Sequence, residues 1–182
     1  LLEDRRRPAG ISLRVDWLDI LSYAGETETC MYAGAVKQPD GGLVGWQQLS
    51  PSESRNESVM AVQQDVKLLH EEVVRYTVEK PLGALRARRD LHAAWIDHFL
   101  PHYSSQFFRD RLHAGMRNAG LDIPQARWFT TIETCGNTGS ASMFITLDAL
   151  FRSGRIARGQ RLLCFVPESG RFSSAFLHLT AV

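Results

Sequence analysis

The run "ETCGNTGSASMFITLDALFRSGRIARGQRLLCF", Glu133 to Phe165, contains a turn, a helix and a strand in succession. Gly136 and Gly139 bracket Asn137-Thr138, a turn signature. Apolar residues then recur at helical spacing from about Ser140 to Arg152, and Gly154 ends that helix. "QRLLCFVPE" follows as a strand, and "RFSSAFLHLTAV" as a second strand beyond a short "PESG" turn. Upstream, "AAWIDHFLPH" reads as a mostly buried strand ending at Pro101-His102. Ser104 or Ser105 then caps a helix to about Asn118, buried through Phe107, Phe108, Leu112 and Met116, with Gly120 past its end. "ARWFTTIET" is rich in strand formers.

Nearer the start, "ISLRVDWLDIL" alternates, with Leu13, Val15 and Trp17 facing one way and Arg14 and Asp16 the other. From Ser22 to Glu57 the chain is rich in turn formers, and such a long stretch carries either a functional loop or short hidden elements. A helix is expected from about Glu57 to Lys80, through Val59, Val62, Val66, Leu69, Val73 and Tyr76, with Pro81 stopping it before the basic "LRARR". Alternating strands and helices imply an α/β fold, a mixed sheet with helices packed on its faces.

Of the 182 residues, 44% are hydrophobic and 23% charged, and the net charge is +1, so bulk nucleic-acid binding has no support. The apolar runs fall far short of a bilayer span, and neither a transmembrane helix nor a secretory leader is expected. Cys30, Cys135 and Cys164 lack metal-type spacing and suit reduced thiols in a cytoplasm. The opening "LLEDRRRPAG" reads as the tail of a strand entering a basic turn, as in a processed terminus or a piece of a longer polypeptide; the piece is the preferred reading.

His102 and Asn137 both stand where an apolar strand gives way to a helix, the place where α/β folds meet their ligands. A histidine N–H and an asparagine amide N–H together can hold an oxyanion or enolate. Alone, each is ordinary: a strand-end histidine is commonly a packing residue, and "GNTG" is commonly a plain turn. His98, four before His102, lacks a third ligand for a metal. His70, His92, His113 and His178 read as surface or packing residues, and the arginines at 5–7 as a solvated turn.

Taken jointly, Pro101-His102, Gly136-Asn137-Thr138 and the Gly-x-Ile-x-x-Gly run from Gly154 to Gly159 resemble the C-terminal half of β-ketoacyl-acyl carrier protein synthase III, a thiolase-like condensing enzyme. The resemblance covers about Ala93 to Val182. It implies that the whole chain is one C-terminal half of a thiolase-like fold. The N-terminal half, with the acyl-carrying cysteine, would lie on a missing segment or another chain, or have been lost. It further implies catalysis by His102 and Asn137, an acyl-coenzyme A or acyl carrier protein phosphopantetheine thioester as donor, no permanently bound cofactor, no metal, a homodimeric complete enzyme and a cytoplasmic location.

Some positions depart from that family. Cys135 stands where relatives have a histidine or aromatic residue, and Ser105 replaces an asparagine that commonly touches the pantetheine arm. Glu168 brings a carboxylate where relatives have glycine, and is read either as a base near an alcohol or amine acceptor or as a solvated turn residue. Gly136 and Phe172 complete the candidate substrate-binding set, and Arg109 and Arg111 are candidates to meet an anionic donor. The alternatives are a non-catalytic partner subunit of a condensing enzyme and an O- or N-acyltransferase of secondary metabolism.

Overall fold

A computed structural model of the chain describes residues 3, 5, 10–56 and 58–182. The strand tail and most of the basic turn expected at the start, and Glu57, lie outside them. The elements in chain order are β1 (Leu13–Ser22), β2 (Met31–Tyr32), β3 (Ala35–Lys37), β4 (Leu43–Gly45), α1 (Pro51–Asn56), β5 (Gln63–Gln64), α2 (Val66–Val74), α3 (Lys80–Arg88), β6 (His98–Pro101), α4 (Arg109–Asn118), α5 (Ile132–Cys135), α6 (Ser142–Arg152), β7 (Arg161–Glu168) and β8 (Ser173–Ala181). The main sheet has the order β1-β8-β7-β6. β6 runs parallel to β7, whereas β7–β8 and β8–β1 are antiparallel, so the sheet is mixed.

Period-two alternation in the central strands feeds two cores. Phe99, Leu163, Phe165 and Phe176 face a cluster with Val78, Leu82, Leu85, Leu112 and Met116, which come from the helices on that side. Leu100, Leu162, Cys164 and Leu179 face the other way, toward Met143 and Leu150 of α6. A strand covered on both faces reads as a continuous apolar run, and "LLCF" is one.

Several expectations change. The alternation in β1 breaks at a bulge between Val15 and Trp17. The extra residue reverses the facing of the rest of the strand, so Leu13 packs on the α6 side and Trp17 on the other. Val15, Leu18 and Ile20 are left exposed.

"ARWFTTIET" is not a strand. Trp128 makes one parallel bridge to Phe99, and the chain then turns into α5. Local bonds outcompete a ladder here: Thr130 Oγ1 accepts from Ile132 N–H at 3.2 Å, and the hydroxyls of Thr131 and Thr146 pair at 2.8 Å.

The helix expected from Glu57 starts instead at Val66, where Asp65 Oδ1 accepts from Leu68 N–H at 3.0 Å. Val62 and Val66 are exposed, and Val59 is buried in a turn ahead of it. Pro81 does not stop this helix. The chain passes through a π-helical segment, Arg75–Glu79, and continues as α3 to Arg88. In an α-helix the N–H of residue 81 would bond to the carbonyl of residue 77, but proline has no N–H. The buried Ser174 Oγ donates to Thr77 O at 2.7 Å. Ser174→Ala should therefore orphan a buried carbonyl and lower stability by about 1–3 kcal/mol, measured by urea denaturation. A change within a few tenths would remove Ser174 from this role.

Finally, Phe107 is exposed, its ring tilted against that of His70 at 5.2 Å and edge-on to that of Phe108 at 5.1 Å. Neither Ser104 nor Ser105 caps α4: Ser105 precedes a 3₁₀ turn, Gln106–Phe108, without a side-chain cap bond. The long loop does carry short elements, β2 to β4 and α1, whose start is closed by Ser50 and Glu53 bonding to each other's backbone N–H.

Candidate active site

Pro101, still paired with Phe165, is the last residue of β6, and His102 follows directly, its N–H bonded to Phe165 O at 2.8 Å. The histidine is thus pinned at the carboxyl end of β6, beside the middle of β7. Its imidazole is half-buried and makes no hydrogen bond to a described residue. Desolvation holds its pKa below the ordinary histidine value, so the ring is neutral near pH 7 and carries one N–H.

Asn137 stands on the turn between α5 and α6. Gly136 has φ 70° and ψ −166°, a conformation essentially restricted to glycine. This carries the chain out of α5 and turns Asn137 to the surface. Asn137 Oδ1 accepts from Gly139 N–H at 3.0 Å, a bond that leaves the amide Nδ2 as donor. Thr138 Oγ1 and Ser142 Oγ, 2.9 Å apart, brace the start of α6. The turns bearing His102 and Asn137 are tied by Gln106 Nε2, which donates to Glu133 Oε1 at 2.8 Å. Sequence reading missed this brace, since nothing in the spacing of Gln106 and Glu133 signals a contact.

His102 and Asn137 line one cavity of about 470 Å³. Its walls include Leu69, Val73 and Val74 of α2, Val78 of the π-helical segment, Leu112 of α4 and Phe165 of β7. Met31, from the region read as a loop, and Gln64, from the start of the expected helix, also reach it, as does Ser104. Helical periodicity in α2 marked an apolar face; that the face lines a cavity depends on how far α4 stands from it.

The other candidates are scattered around this cavity. Glu168 lines it, and its carboxylate accepts from the N–H groups of Gly170 and of Arg171, the latter at 3.3 Å. Ser105 is exposed beside the cavity-lining Ser104 and is not itself a lining residue. Gly136 borders a smaller crevice beneath His102. Phe172, with φ 55°, is fully buried with Cys30 and Tyr76 and supports the β7–β8 turn from behind. Arg109 Nε donates to Gln125 Oε1 at 2.9 Å, and Arg111 Nη2 to His70 O at 2.7 Å with its guanidinium over Phe107. Both cations are therefore engaged within the chain.

Cys30 and Cys164 are buried, and desolvation pushes their thiols up to about 11 and about 12, far from a thiolate at neutral pH. Cys135 is exposed, and no described cysteine lines the cavity. His98 is buried and bonded to Gln160 at 3.1 Å; His92, His113 and His178 each pair with an aspartate. Among the described residues no three metal-ligating side chains converge, and no helix is long and apolar enough to cross a membrane.

Residues 87–175 match the family described as 3-oxoacyl-[acyl-carrier-protein (ACP)] synthase III C terminal. Acetoacetyl CoA synthase NphT7 of Streptomyces sp. (strain CL190) is 39% identical over 71 residues, which are 39% of this chain and 20% of that protein. β-Ketoacyl-[acyl-carrier-protein] synthase III of Xanthomonas campestris pv. campestris (strain 8004) is 49% identical over 43 residues, 24% of this chain and 13% of the relative. The crystal structure of β-ketoacyl-[acyl carrier protein] synthase III from Thermus thermophilus superposes with a TM-score of 0.65 at 19% identity, covering 97% of this chain and 48% of that one. The chain thus spans about half of that structure and a smaller share of the two sequence relatives. Residues 87–175 are thus similar in sequence to the C-terminal region of 3-oxoacyl-[acyl-carrier-protein] synthase III, and the chain shares the fold of about half of such an enzyme.

Proposed function

We propose that this chain is the oxyanion- and enolate-holding half of an acyltransferase of the condensing-enzyme type, working with a nucleophilic cysteine outside these 182 residues. One observation carries the reading: a neutral histidine and an asparagine with its amide oxygen already tied to Gly139 border the same cavity, each with an N–H to offer. Developing negative charge on a carbonyl oxygen is what two such donors stabilise. The donor is an acyl thioester of coenzyme A or of a carrier protein.

In the first step a cysteine thiolate attacks the thioester carbonyl. The new C–S bond forms, the donor's C–S bond breaks, and the donor leaves as a thiol after taking up a proton. In a condensation, a malonyl thioester then loses its carboxylate as CO₂. The electron pair left behind becomes an enolate whose oxygen His102 and Asn137 hold, and the enolate carbon displaces the cysteine sulfur. The position of Glu168 on the cavity wall favours a second reading, transfer to an alcohol or amine oriented by that carboxylate.

Incubating the complete protein with an acyl-coenzyme A and weighing it intact tests the proposal. The expected result is a mass gain equal to the acyl group. Absence of an adduct with every donor tried, coenzyme- and carrier-linked, would leave the non-catalytic partner as the surviving reading. Product analysis with malonyl and non-malonyl donors separates carbon–carbon condensation from transfer to oxygen or nitrogen.

A further inference from the structure

His102 is fixed by its own backbone, through its N–H on Phe165 O. The anchoring of Asn137 is indirect. It stands between Gly136 and Gly139, both at positive φ, and a Cβ at either glycine would meet nothing within 4 Å. These glycines serve conformation, not close packing, and they do not stiffen the turn. Where Asn137 points therefore depends on what holds the two ends of that turn. The α6 end is held by Thr138 Oγ1 and Ser142 Oγ, 2.9 Å apart. The other end is α5, four residues long and too short to keep its shape alone. Two side chains pin it. Thr131, just before it, meets the buried Thr146 of α6, hydroxyl to hydroxyl at 2.8 Å. Glu133, within it, accepts at 2.8 Å from Gln106 Nε2, on the turn that follows His102. One pin leaves a short helix free to swing about it; the second fixes the angle.

Gln106 is oriented for this contact. Its Oε1 lies 3.5 Å from the hydroxyl of Tyr103, which is buried directly after His102. The oxygen end of the amide thus faces Tyr103 and the nitrogen end faces the carboxylate. A carboxylate acceptor makes the bond charge-assisted, the stronger kind. Among the described residues no other hydrogen bond joins residues 102–108 to residues 130–141.

We propose that Gln106 and Glu133 are positioning residues, whose bond couples the turn after His102 to α5 and so keeps the His102 and Asn137 donors aimed at one oxygen. The proposal rests on the acyl-transfer reading for what those donors do, and adds the pair that aligns them. Neither Gln106 nor Glu133 lines the cavity, so both act through His102 and Asn137. Alignment matters because donors stabilise an oxyanion only from about 3 Å, and a misplacement of about 1 Å can cost about 10²-fold in rate.

The test has two arms, both on the complete protein. Gln106 and Glu133 are exposed, so substituting them leaves the core intact. The first arm is amide hydrogen exchange, read on the side of the bridge that was not changed. Gln106→Ala should speed exchange about tenfold at Cys135 and Gly136, whose N–H groups bond within α5 to Thr131 O at 2.8 Å and Ile132 O at 3.1 Å. Glu133→Ala should do the same at Phe108, whose N–H bonds to Ser105 O at 3.0 Å. The second arm is transfer kinetics. Both alanine variants should lose about tenfold in kcat, with KM changed less than about twofold. Glu133→Gln keeps an acceptor and should stay near wild type. Gln106→Glu sets two carboxylates face to face and should behave like alanine, and adding Glu133→Gln to it should restore kcat by offering the same bond with donor and acceptor reversed. Faster exchange confined to the substituted turn in both alanine variants would overturn the coupling, whether or not the protein transfers acyl groups. Faster exchange across the bridge with kcat unchanged, in a protein that does transfer, would overturn the positioning role and leave the acyl-transfer reading standing. Faster exchange across the bridge in a protein that transfers from no donor supports the coupling and sinks the acyl-transfer reading instead.

Discussion

His102→Ala and Asn137→Ala, each made in the complete protein, should lower acyl transfer by about 10²–10³-fold, with thioester binding much less affected. The reason lies in when each donor matters. A thioester oxygen carries little charge in the ground state, and an N–H aimed at it contributes most once an oxyanion or enolate has formed. Asn137→Asp should be as damaging as alanine, because a carboxylate has no N–H to give and places a negative charge beside the developing one. The double variant should lose less than the product of the single losses, since both donors serve one oxygen.

The pH profile gives an independent check. Burial lowers the His102 pKa, so its charged form accumulates only below the pH at which an ordinary histidine titrates. If the neutral ring is the working form, the acid limb of kcat/KM lies below that ordinary value, and His102→Ala abolishes the limb along with most of the rate. Unchanged transfer by both single variants would sink the assignment.

Phe165→Ala should cost about 3–5 kcal/mol of stability, among the largest effects expected from a single side chain in the sheet. Phe165 is fully buried in the middle of β7, with its ring 5.1 Å from that of Phe176 and 6.4 Å from that of Phe99. It touches both the core beneath the helices and the cavity, so collapse after truncation is hindered from two sides. Its backbone carbonyl also holds the N–H of His102, and a strand loosened here carries the catalytic candidate with it. Phe165→Leu, closer in volume, should cost far less. Guanidinium denaturation of the three proteins side by side measures the difference, and a loss for alanine below about 1 kcal/mol would show that this ring stack is not central to the core.

Much of the fold is legible in the sequence. β6, β7, β8 and α6 arise from local signals: apolar runs with period two, a turn bounded by Gly136 and Gly139, a helix closed by Gly154. These work because the information is carried by neighbours in the chain. The two polar candidates are legible for the same reason, each being written into a short motif at a strand-to-helix junction.

Features that depend on distant partners are not legible. Pro81 reads as a stop, yet Ser174, far along the chain, supplies the bond that helps α2 run through the π-helical segment into α3. Period two in β1 predicts one buried face, yet pairing with β8 admits a bulge that moves Trp17 to the opposite side from Leu13. "ARWFTTIET" has strand propensity, yet threonine hydroxyls and Trp128 find other partners.

For the site, the sequence by itself determined which side chains are candidates to carry the chemistry and that each stands at the end of an apolar segment. Only the tertiary structure decided that they border one cavity and that Asn137 keeps its amide N–H free. The physical reason is range: propensity and turn chemistry act over a few residues, whereas a cavity is the space left between elements packed from remote parts of the chain.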